Sequence, residues 1–241
     1  MALVECAHVL RTQYGLAQDA VIGVLIDLLA YDWPMETSVR MLLWSIDEIA
    51  GFDTAWASID GECLTAEGQQ SGLMPMPYWV RYRLETDARF VTTRMTIESR
   101  WETGAATLDL RREDGRWSDD GERRPDLDEA LDVDLAGCPL TNAMPILRHG
   151  LHRGQGDHAF LMAFIEVPNL RVVPSRQRYT HIRMLTGGGA VVRYRSGSFQ
   201  SDLTIDADGF VVDYPKLGRR LEPRPSEPGV RAAGPGSARP D

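Results

Sequence analysis

Hydrophobic and polar side chains alternate along much of the chain, which is the pattern of half-buried β-strands. The clearest example is the stretch 89–101, RFVTTRMTIESRW. Met95 and Ile97 fall on one face of an extended chain there, and Arg94 and Glu98 fall on the other. This alternation predicts a strand with one buried face. The same pattern, over lengths too short for most helices, predicts further strands at 105–110, 159–167, 178–185, 191–195, 199–205 and 210–214.

Short turn sequences separate the predicted strands. Asp-Gly pairs stand at 114–115, 120–121 and 208–209, and consecutive glycines occupy 187–189. Aspartate and glycine tolerate the positive φ angles of tight hairpins, so these turns join antiparallel neighbours. A parallel sheet would need helical crossovers, for which these connections are too short. The sequence therefore predicts a mainly all-β protein, an antiparallel meander curved enough to enclose an internal space.

The two ends of the chain depart from this pattern. Within residues 1–40, apolar positions between Val21 and Leu29 recur at helical spacing and predict an N-terminal amphipathic helix. We expect this extension to be a start-site artefact that precedes a native β domain at 41–220. Residues 221–241 are dense in Pro, Gly, Ser and Arg, and they predict a disordered tail.

The composition of the chain is that of a globular protein. Its 241 residues are 43% hydrophobic and 25% charged, and one large β domain accommodates them. The formal net charge of −9 argues against nucleic acid as a partner, because binding to a phosphate backbone requires a basic surface.

Two further features bear on the compartment. The longest apolar run, at 20–30, carries Asp27 and is about half as long as a transmembrane helix, and it lacks the flanks of a signal peptide. The cysteines Cys6, Cys63 and Cys138 stand at unrelated spacings, which favours a reducing environment. We therefore expect a cytoplasmic protein without a transmembrane segment.

Two clusters of titratable residues could carry chemistry. His149, His152 and His158 could ligate zinc or iron, but their spacing fits no common metal site, and we interpret them as surface histidines. An acidic run at 126–134 could bind calcium or supply paired carboxylates for acid–base catalysis. It lacks the spacing of an EF-hand, and the alternation over 131–135 favours a short edge strand whose charges deter unwanted pairing. We therefore predict neither a metal nor a cofactor.

Nucleophile motifs are weak in this chain. Cys138, with His149 downstream, could form a cysteine–histidine pair, but we interpret Cys138 as a buried structural residue. Ser196 and Ser198 flank a glycine without forming a GxSxG elbow, and the sequence has no glycine-rich phosphate loop with its lysine.

Tryptophan and tyrosine are frequent between Trp44 and Tyr214. Such side chains most often belong to a hydrophobic core. Interleaved with arginine, they also suit a pocket that stacks on sugars and binds a phosphate or carboxylate head group, with aliphatic residues around a lipid tail.

Three blocks of sequence are distinctive when they are read together. They are DGRWSDDG at 114–121, DVDLAGCPLTNAMPI at 132–146 and FQSDLTIDADGFVVDYP at 199–215. In this order and spacing, over roughly 44–220, they resemble the bacterial putative glycolipid-binding family. The chain departs from the family pattern at His149, where a second arginine is expected. The resemblance implies a curved β-sheet or barrel-like roll with an internal cavity and a role in glycolipid binding, and it brings no catalytic residues.

These observations predict non-enzymatic binding of an amphiphile, a glycolipid or a lipid-like molecule, in a β-walled cavity. The candidate ligand-binding residues combine aromatic side chains with hydrogen-bonding ones, and they are Trp79, Arg81, Trp101, Trp117, Asn142, Arg148, Tyr179, Tyr194 and Tyr214. One alternative is a hydrolase that acts on a lipid or a sugar through carboxylate and histidine residues. Another is an interaction module whose sheet edge pairs with a partner strand.

Overall fold

The computed structural model describes residues 39–222, so the expected N-terminal helix and nearly all of the expected disordered tail lie outside the described residues. Within this range the alternating segments form fifteen strands. They are β1 (Val39–Ile46), β2 (Gly51–Asp60), β3 (Cys63–Gly72), β4 (Tyr78–Thr86), β5 (Thr92–Trp101), β6 (Gly104–Glu113), β7 (Arg116–Asp119), β8 (Glu122–Arg123), β9 (Asp132–Leu135), β10 (Asp157–Ile165), β11 (Val172–Met184), β12 (Ala190–Ser196), β13 (Phe199–Ile205), β14 (Val211–Tyr214) and β15 (Gly218–Arg220). The helical elements described are α1 (Ala143–Arg148) and 3₁₀ turns at Pro125–Leu127 and Pro139–Asn142.

All fifteen strands belong to one sheet, in the order β8-β7-β6-β5-β4-β3-β2-β1-β15-β14-β13-β12-β11-β10-β9. Pairing between β1 and β15 joins the half formed by β1–β8 to the half formed by β9–β15. Every pair is antiparallel except β9 with β10, which run parallel because the long connection at 136–156 lies between them. The prediction of a mainly antiparallel all-β fold is therefore confirmed, and the sheet curls into a roll that is not closed.

The pattern that predicted the strands matches the burial of their side chains. Met95 and Ile97 of β5 are buried, while the side chains that alternate with them are more exposed. The turn at Asp114 and Gly115 has φ values of 50° and 78°, as a tight hairpin of this kind requires. The largest difference in a boundary is at β11, which begins at Val172 rather than at Arg178. Its first residues pair only with β10, so half of this segment's neighbours are missing and its alternation is weak.

The two halves of the roll meet along a seam near residues 124–131. The Thr92 N–H donates to the Leu131 carbonyl at 3.0 Å. The Trp117 ring Nε1 donates to the Ala130 carbonyl at 2.9 Å, and this ring is completely buried. The seam is therefore closed by single hydrogen bonds and packed side chains rather than by a continuous strand ladder.

The segment 136–148 crosses the interior of the roll and ends in α1. Ala143 and Met144 pack in the larger cluster of buried residues, which contains Tyr82 and takes side chains from both halves of the roll. Ile146 packs in the smaller cluster that contains Tyr179, within the β9–β15 half. The chain's own residues therefore occupy the space between the two halves. Residues from Ala143 to Arg148 form this short helix.

Replacing Trp117 by Phe should lower the free energy of unfolding by about 2 kcal/mol, because the variant loses the bond to Ala130 and leaves a small cavity. Urea denaturation measures this change. The matched control is Trp79→Phe, since Trp79 is half-buried on the opposite face of β4 from the core. Equal losses in the two variants would contradict a stabilising role for the seam.

Candidate functional site

A cleft opens at one end of the roll, where the β2–β3 turn, the β4–β5 loop and the C-terminal end of α1 meet. Its volume is about 340 Å³. One part of its wall is apolar and is formed by Ala57, Ile59, Phe90, Leu147 and Phe210. The other part is polar and is formed by Arg40, Glu62, His152, Arg153 and Asp208. We call this site the end cleft, and its lining is amphipathic.

His152 is the unusual residue of the end cleft. His152 is 2% exposed, and neither Nδ1 nor Nε2 makes a hydrogen bond of normal distance and angle with a described residue, although the Ile146 carbonyl lies near the ring. Burial lowers the pKa of His152, the charge of Arg153 lowers it further, and the Ile146 carbonyl opposes the shift. The ring is therefore neutral at pH 7, with one N–H donor and one acceptor nitrogen. Buried polar atoms without partners are rare in proteins, so this ring is a candidate ligand contact.

The turn between β13 and β14 shapes the wall beside His152. Gly209 has a φ of 90° there. A Cβ at this position would lie 2.5 Å from the Cδ2 of Leu147 and 3.7 Å from the Cε1 of His152. Glycine is thus required both by the backbone conformation and by the close approach of Leu147. The Asp-Gly pair that predicted a hairpin also forms part of the cleft.

Arg40 forms the rim of the end cleft at the start of β1. Its Nη1 donates to the Asp208 carboxylate at 2.5 Å and lies 3.4 Å from the Asp206 carboxylate. The guanidinium group also lies 5.4 Å from the centre of the Phe210 ring. Arg220 of β15 donates to Asp206 at 2.6 Å. These contacts tie β1 and β15 to the β13–β14 turn and hold the rim in place.

Phe90 stands at the inner end of the β4–β5 loop and has a φ of 57°, a strained backbone conformation for an aromatic residue. Its N–H donates to the Glu62 carbonyl at 3.1 Å. The Asp87 carboxylate accepts from the N–H groups of Arg89 at 2.8 Å and Val91 at 3.0 Å. Several hydrogen bonds therefore hold this loop in one conformation and fix the Phe90 ring in the wall of the cleft.

A polar network lies in the interior between β2, β4 and the segment 136–148. The Tyr82 hydroxyl donates to the Asp53 carboxylate at 3.2 Å, and the Cys138 thiol donates to the Tyr82 oxygen at 3.4 Å. Gly68 makes room for this ring, since a Cβ there would lie 2.3 Å from the Tyr82 hydroxyl oxygen. Burial raises the pKa of Asp53 to about 7, against the opposing hydrogen bonds from Cys138 and Tyr82. The network is enclosed, and we interpret it as structural.

A group of tyrosines fills the β9–β15 side of the interior. The ring centres of Tyr179 and Tyr194 lie 5.3 Å apart, and those of Tyr194 and Tyr214 lie 5.9 Å apart. The Tyr179 hydroxyl donates to the Oδ1 of Asn142 at 2.9 Å. All four side chains are buried. They pack the second half of the roll and anchor the segment that precedes α1.

Comparison with known proteins identifies the family. A family model described as "Putative glycolipid-binding" matches residues 41–220. The chain belongs to this putative glycolipid-binding family. The crystal structure of a DUF1089 family protein from Pseudomonas aeruginosa is similar, with 28% sequence identity and a TM-score of 0.59 over 79% of this chain and 98% of that one. No curated protein matches the chain. No helix in residues 39–222 is long and apolar enough to cross a membrane.

The candidate ligand-binding residues of the sequence lie in separate places in this member of the putative glycolipid-binding family. Asn142, Tyr179, Tyr194 and Tyr214 come together in the buried tyrosine group, and none of them lines the end cleft. Arg148, at the end of α1, is engaged in an ion pair with Asp132.

The tryptophans and Arg81 lie elsewhere. Trp117 is buried at the seam, and Trp101 is partly buried against the core. Trp79 and Arg81 lie on the outer face of β4, with the guanidinium 5.9 Å from the Trp79 ring centre. The candidates taken from aromatic composition are thus dispersed between core, seam and outer surface.

The acidic run is used by the fold. Four of its five carboxylates pair with neighbours of opposite charge or with polar groups: Asp126 with Arg124, Asp128 with Arg123, Asp132 with Arg148, and Asp134 with Gln177 and Thr141. β9 is an edge strand of the sheet, as the alternation predicted. Within residues 39–222, no group of three or more histidine, cysteine or acidic side chains is arranged to hold a metal ion.

The histidines and the cysteine differ in how they compare with the predictions. His149 and His158 are half-buried and stack with ring centres 4.1 Å apart. His152 is buried, so its interpretation as a surface histidine is wrong, because α1 folds the residues after it back against the Asp208–Gly209 turn. Cys138 is buried, as predicted.

Asp53→Asn should change how the free energy of unfolding depends on pH. Because the folded pKa of Asp53 is raised from 3.8 to about 7, its stabilising contribution is complete below pH 4 and is lost as the pH rises towards 7. Asp53→Asn remains neutral and still accepts from Tyr82. Relative to the wild type, its free energy of unfolding should rise by roughly 1 kcal/mol per pH unit between pH 5 and 7.

Urea denaturation at several pH values measures the effect. Asp60→Asn is the control, since Asp60 is exposed at the end of the same strand. If the stability curves of the wild type and Asp53→Asn ran parallel from pH 5 to 8, the buried acid would not titrate as described.

Proposed function

We propose that this protein binds an amphiphile with a hydroxylated head group, a glycolipid or a related molecule, in the end cleft. The observation that carries the proposal is a buried histidine whose ring nitrogens make no hydrogen bond of normal geometry with a described residue, in the wall of an amphipathic cleft. Membership of the putative glycolipid-binding family supports the same class of ligand. The site differs from the β-walled internal cavity that the sequence predicted, because the chain's own segment 136–148 fills the centre of the roll.

The chemistry of the cleft suits a sugar. A sugar hydroxyl both donates and accepts hydrogen bonds, and the neutral His152 ring offers one nitrogen of each kind. Both nitrogens are shielded from solvent, so a ligand that reaches them displaces part of the wall beside Leu147. The exposed Arg153 stands at the rim for further polar contacts.

The apolar wall supplies the other half of the interaction. Ile59, Phe90 and Phe210 provide aliphatic and aromatic surface for the carbon face of a sugar or the first part of a lipid chain. The volume of about 340 Å³ lies at the lower end of the range of small-molecule sites, roughly 300–1,000 Å³. A head group and the start of a chain fit this volume, so the rest of a long lipid chain would extend outside it.

We further propose that binding is not accompanied by hydrolysis. Asp208, a carboxylate in the cleft wall, is paired with Arg40 at 2.5 Å, and Glu62 lies exposed at the rim. The four aspartates of the acidic run that suggested a hydrolase are engaged in ion pairs and hydrogen bonds of the fold. Octyl β-glucoside incubated with the protein should be recovered intact by mass spectrometry, and release of octanol and glucose would contradict this proposal.

His152→Phe tests the ligand contact. The substitution keeps a planar ring and removes both nitrogens, so binding of octyl β-glucoside below its micelle concentration should weaken about tenfold, the cost of one lost polar contact. Isothermal titration calorimetry measures the affinity. The melting temperature should stay the same or rise, because a buried polar group without partners is removed.

The control is His158→Phe, a half-buried histidine outside the end cleft. It should bind octyl β-glucoside like the wild type. Two results would refute the proposal: absence of binding by the wild type to every alkyl glycoside tried, or equal affinity of His152→Phe and the wild type.

A further inference from the structure

A second hollow adjoins the end cleft and is rich in arginine. Its volume is about 280 Å³, and three arginines, Arg89, Arg112 and Arg148, line it beside one carboxylate, Glu62. We call it the arginine hollow. Phe90, Leu147 and Glu62 line both sites, so a ligand that passes these side chains reaches from one into the other.

The three guanidinium groups differ in how their charges are used. Arg148 donates to both oxygens of Asp132, at 2.7 and 2.5 Å, and to the Phe90 carbonyl at 3.1 Å. Arg89 is highly exposed, and its Nη2 lies 3.9 Å from Asp87. The guanidinium group of Arg148 therefore has its partners within the fold, and that of Arg89 is largely solvated.

Arg112 differs from both, because it is half-buried and forms no ion pair with a described carboxylate at hydrogen-bond distance. It is half-buried near the end of β6, and its Nε donates to the Ala130 carbonyl at 3.2 Å. Neither of its Nη atoms donates to another described residue. The bond at Nε fixes the plane of the guanidinium group and leaves the outer nitrogens for another acceptor.

The surroundings strengthen the attraction for an anion. Val91 and Phe90 are buried in the wall, and Leu131 is half-buried beside them. Apolar walls reduce the screening of a charge by water, so a guanidinium group there interacts more strongly than one on an open surface. Three arginines face one carboxylate in the lining of the hollow, with Asp132 and Asp87 beside Arg148 and Arg89, while the chain as a whole carries a net charge of −9.

We propose that the arginine hollow is an oxyanion subsite centred on Arg112, and that the ligand of the end cleft carries a phosphate or sulfate group beyond its hydroxylated part. This inference rests on the proposed function, since the anion is placed relative to a ligand in the end cleft. The substrate class then narrows from amphiphiles in general to anionic glycolipids. Arg112 contributes the specificity for the anion, and His152 the contact with hydroxyl groups.

The experiment compares two ligands that differ by one group, octyl β-glucoside and its 6-phosphate, with inorganic phosphate as a third probe. Titration calorimetry with the full chain should show the phosphorylated glycoside binding at least about tenfold more tightly, as expected for a charge-assisted contact. That advantage should shrink as the salt concentration rises. Inorganic phosphate alone should bind more weakly than the phosphorylated glycoside, which separates a lipid head group from a free anion.

Arg112→Gln should abolish the preference for the phosphorylated glycoside and leave the affinity for octyl β-glucoside unchanged. Arg112→Lys keeps the positive charge and should retain part of the preference, which also covers the case in which the glutamine variant folds poorly. Arg219→Gln is the matched control, because Arg219 is exposed on β15, away from the hollow.

The other outcomes distinguish a failure of the anion subsite from a failure of the proposed function. If both glycosides bind equally well to the wild type, or if Arg112→Gln keeps the preference, the anion subsite is wrong while the proposed function stands. If neither glycoside binds, the proposed function fails. If inorganic phosphate binds as tightly as the phosphorylated glycoside, the hollow recognises the free anion, and the assignment to anionic glycolipids is overturned.

Discussion

The ion pair between Arg148 and Asp132 is the contact on which the rest of the site depends. It joins the last residue of α1 to the edge strand β9, and the same guanidinium group holds the Phe90 carbonyl. Burial raises the pKa of Asp132, and the charge of Arg148 opposes that shift. A buried carboxylate of this kind is tolerable only with its partner in place. The pair thus sets where α1 ends and where Phe90 and Leu147 form the partition between the two hollows.

The segment that carries Arg148 also explains why the proposed binding site lies at an end of the roll. A sheet of this curvature could enclose a central cavity, but residues 136–148 occupy that space with their own side chains. Buried polar groups such as Asp53 and Asn142 find partners within the protein there. The unpartnered nitrogens of His152 lie instead at the margin of this packed region, next to the open end.

The fold could be predicted from the sequence where the information is local. Alternation at Met95 and Ile97 and the Asp114-Gly115 turn each indicate one strand or hairpin, and both are confirmed. The helix at Ala143–Arg148 could not be predicted, because it is only six residues long and contains Pro145, which the first turn of a helix tolerates. The parallel pairing of β9 with β10 escaped prediction for a related reason, since short turns say nothing about the strand that follows a long connection.

The candidate site was harder to predict than the fold. Arg40, Phe90, His152 and Asp208 come from four distant parts of the chain, and only the roll brings them together. Aromatic composition led instead to residues such as Tyr179, whose abundance reflects packing. A signal was present at Gly209, because a glycine after an aspartate in a matched family block can serve a close side-chain approach as well as a turn.

The two halves of the roll are held together less firmly at the seam than neighbouring strands are within the sheet. Parting the two halves near residues 124–131 would break isolated bonds, such as that from Trp117 to Ala130, while every rung between paired strands stays intact. The seam is consequently the part of the roll that opens most easily. A ligand bound as proposed between Phe90 and Leu147 would press on this seam, while the strand pairs that carry the contacts would stay intact.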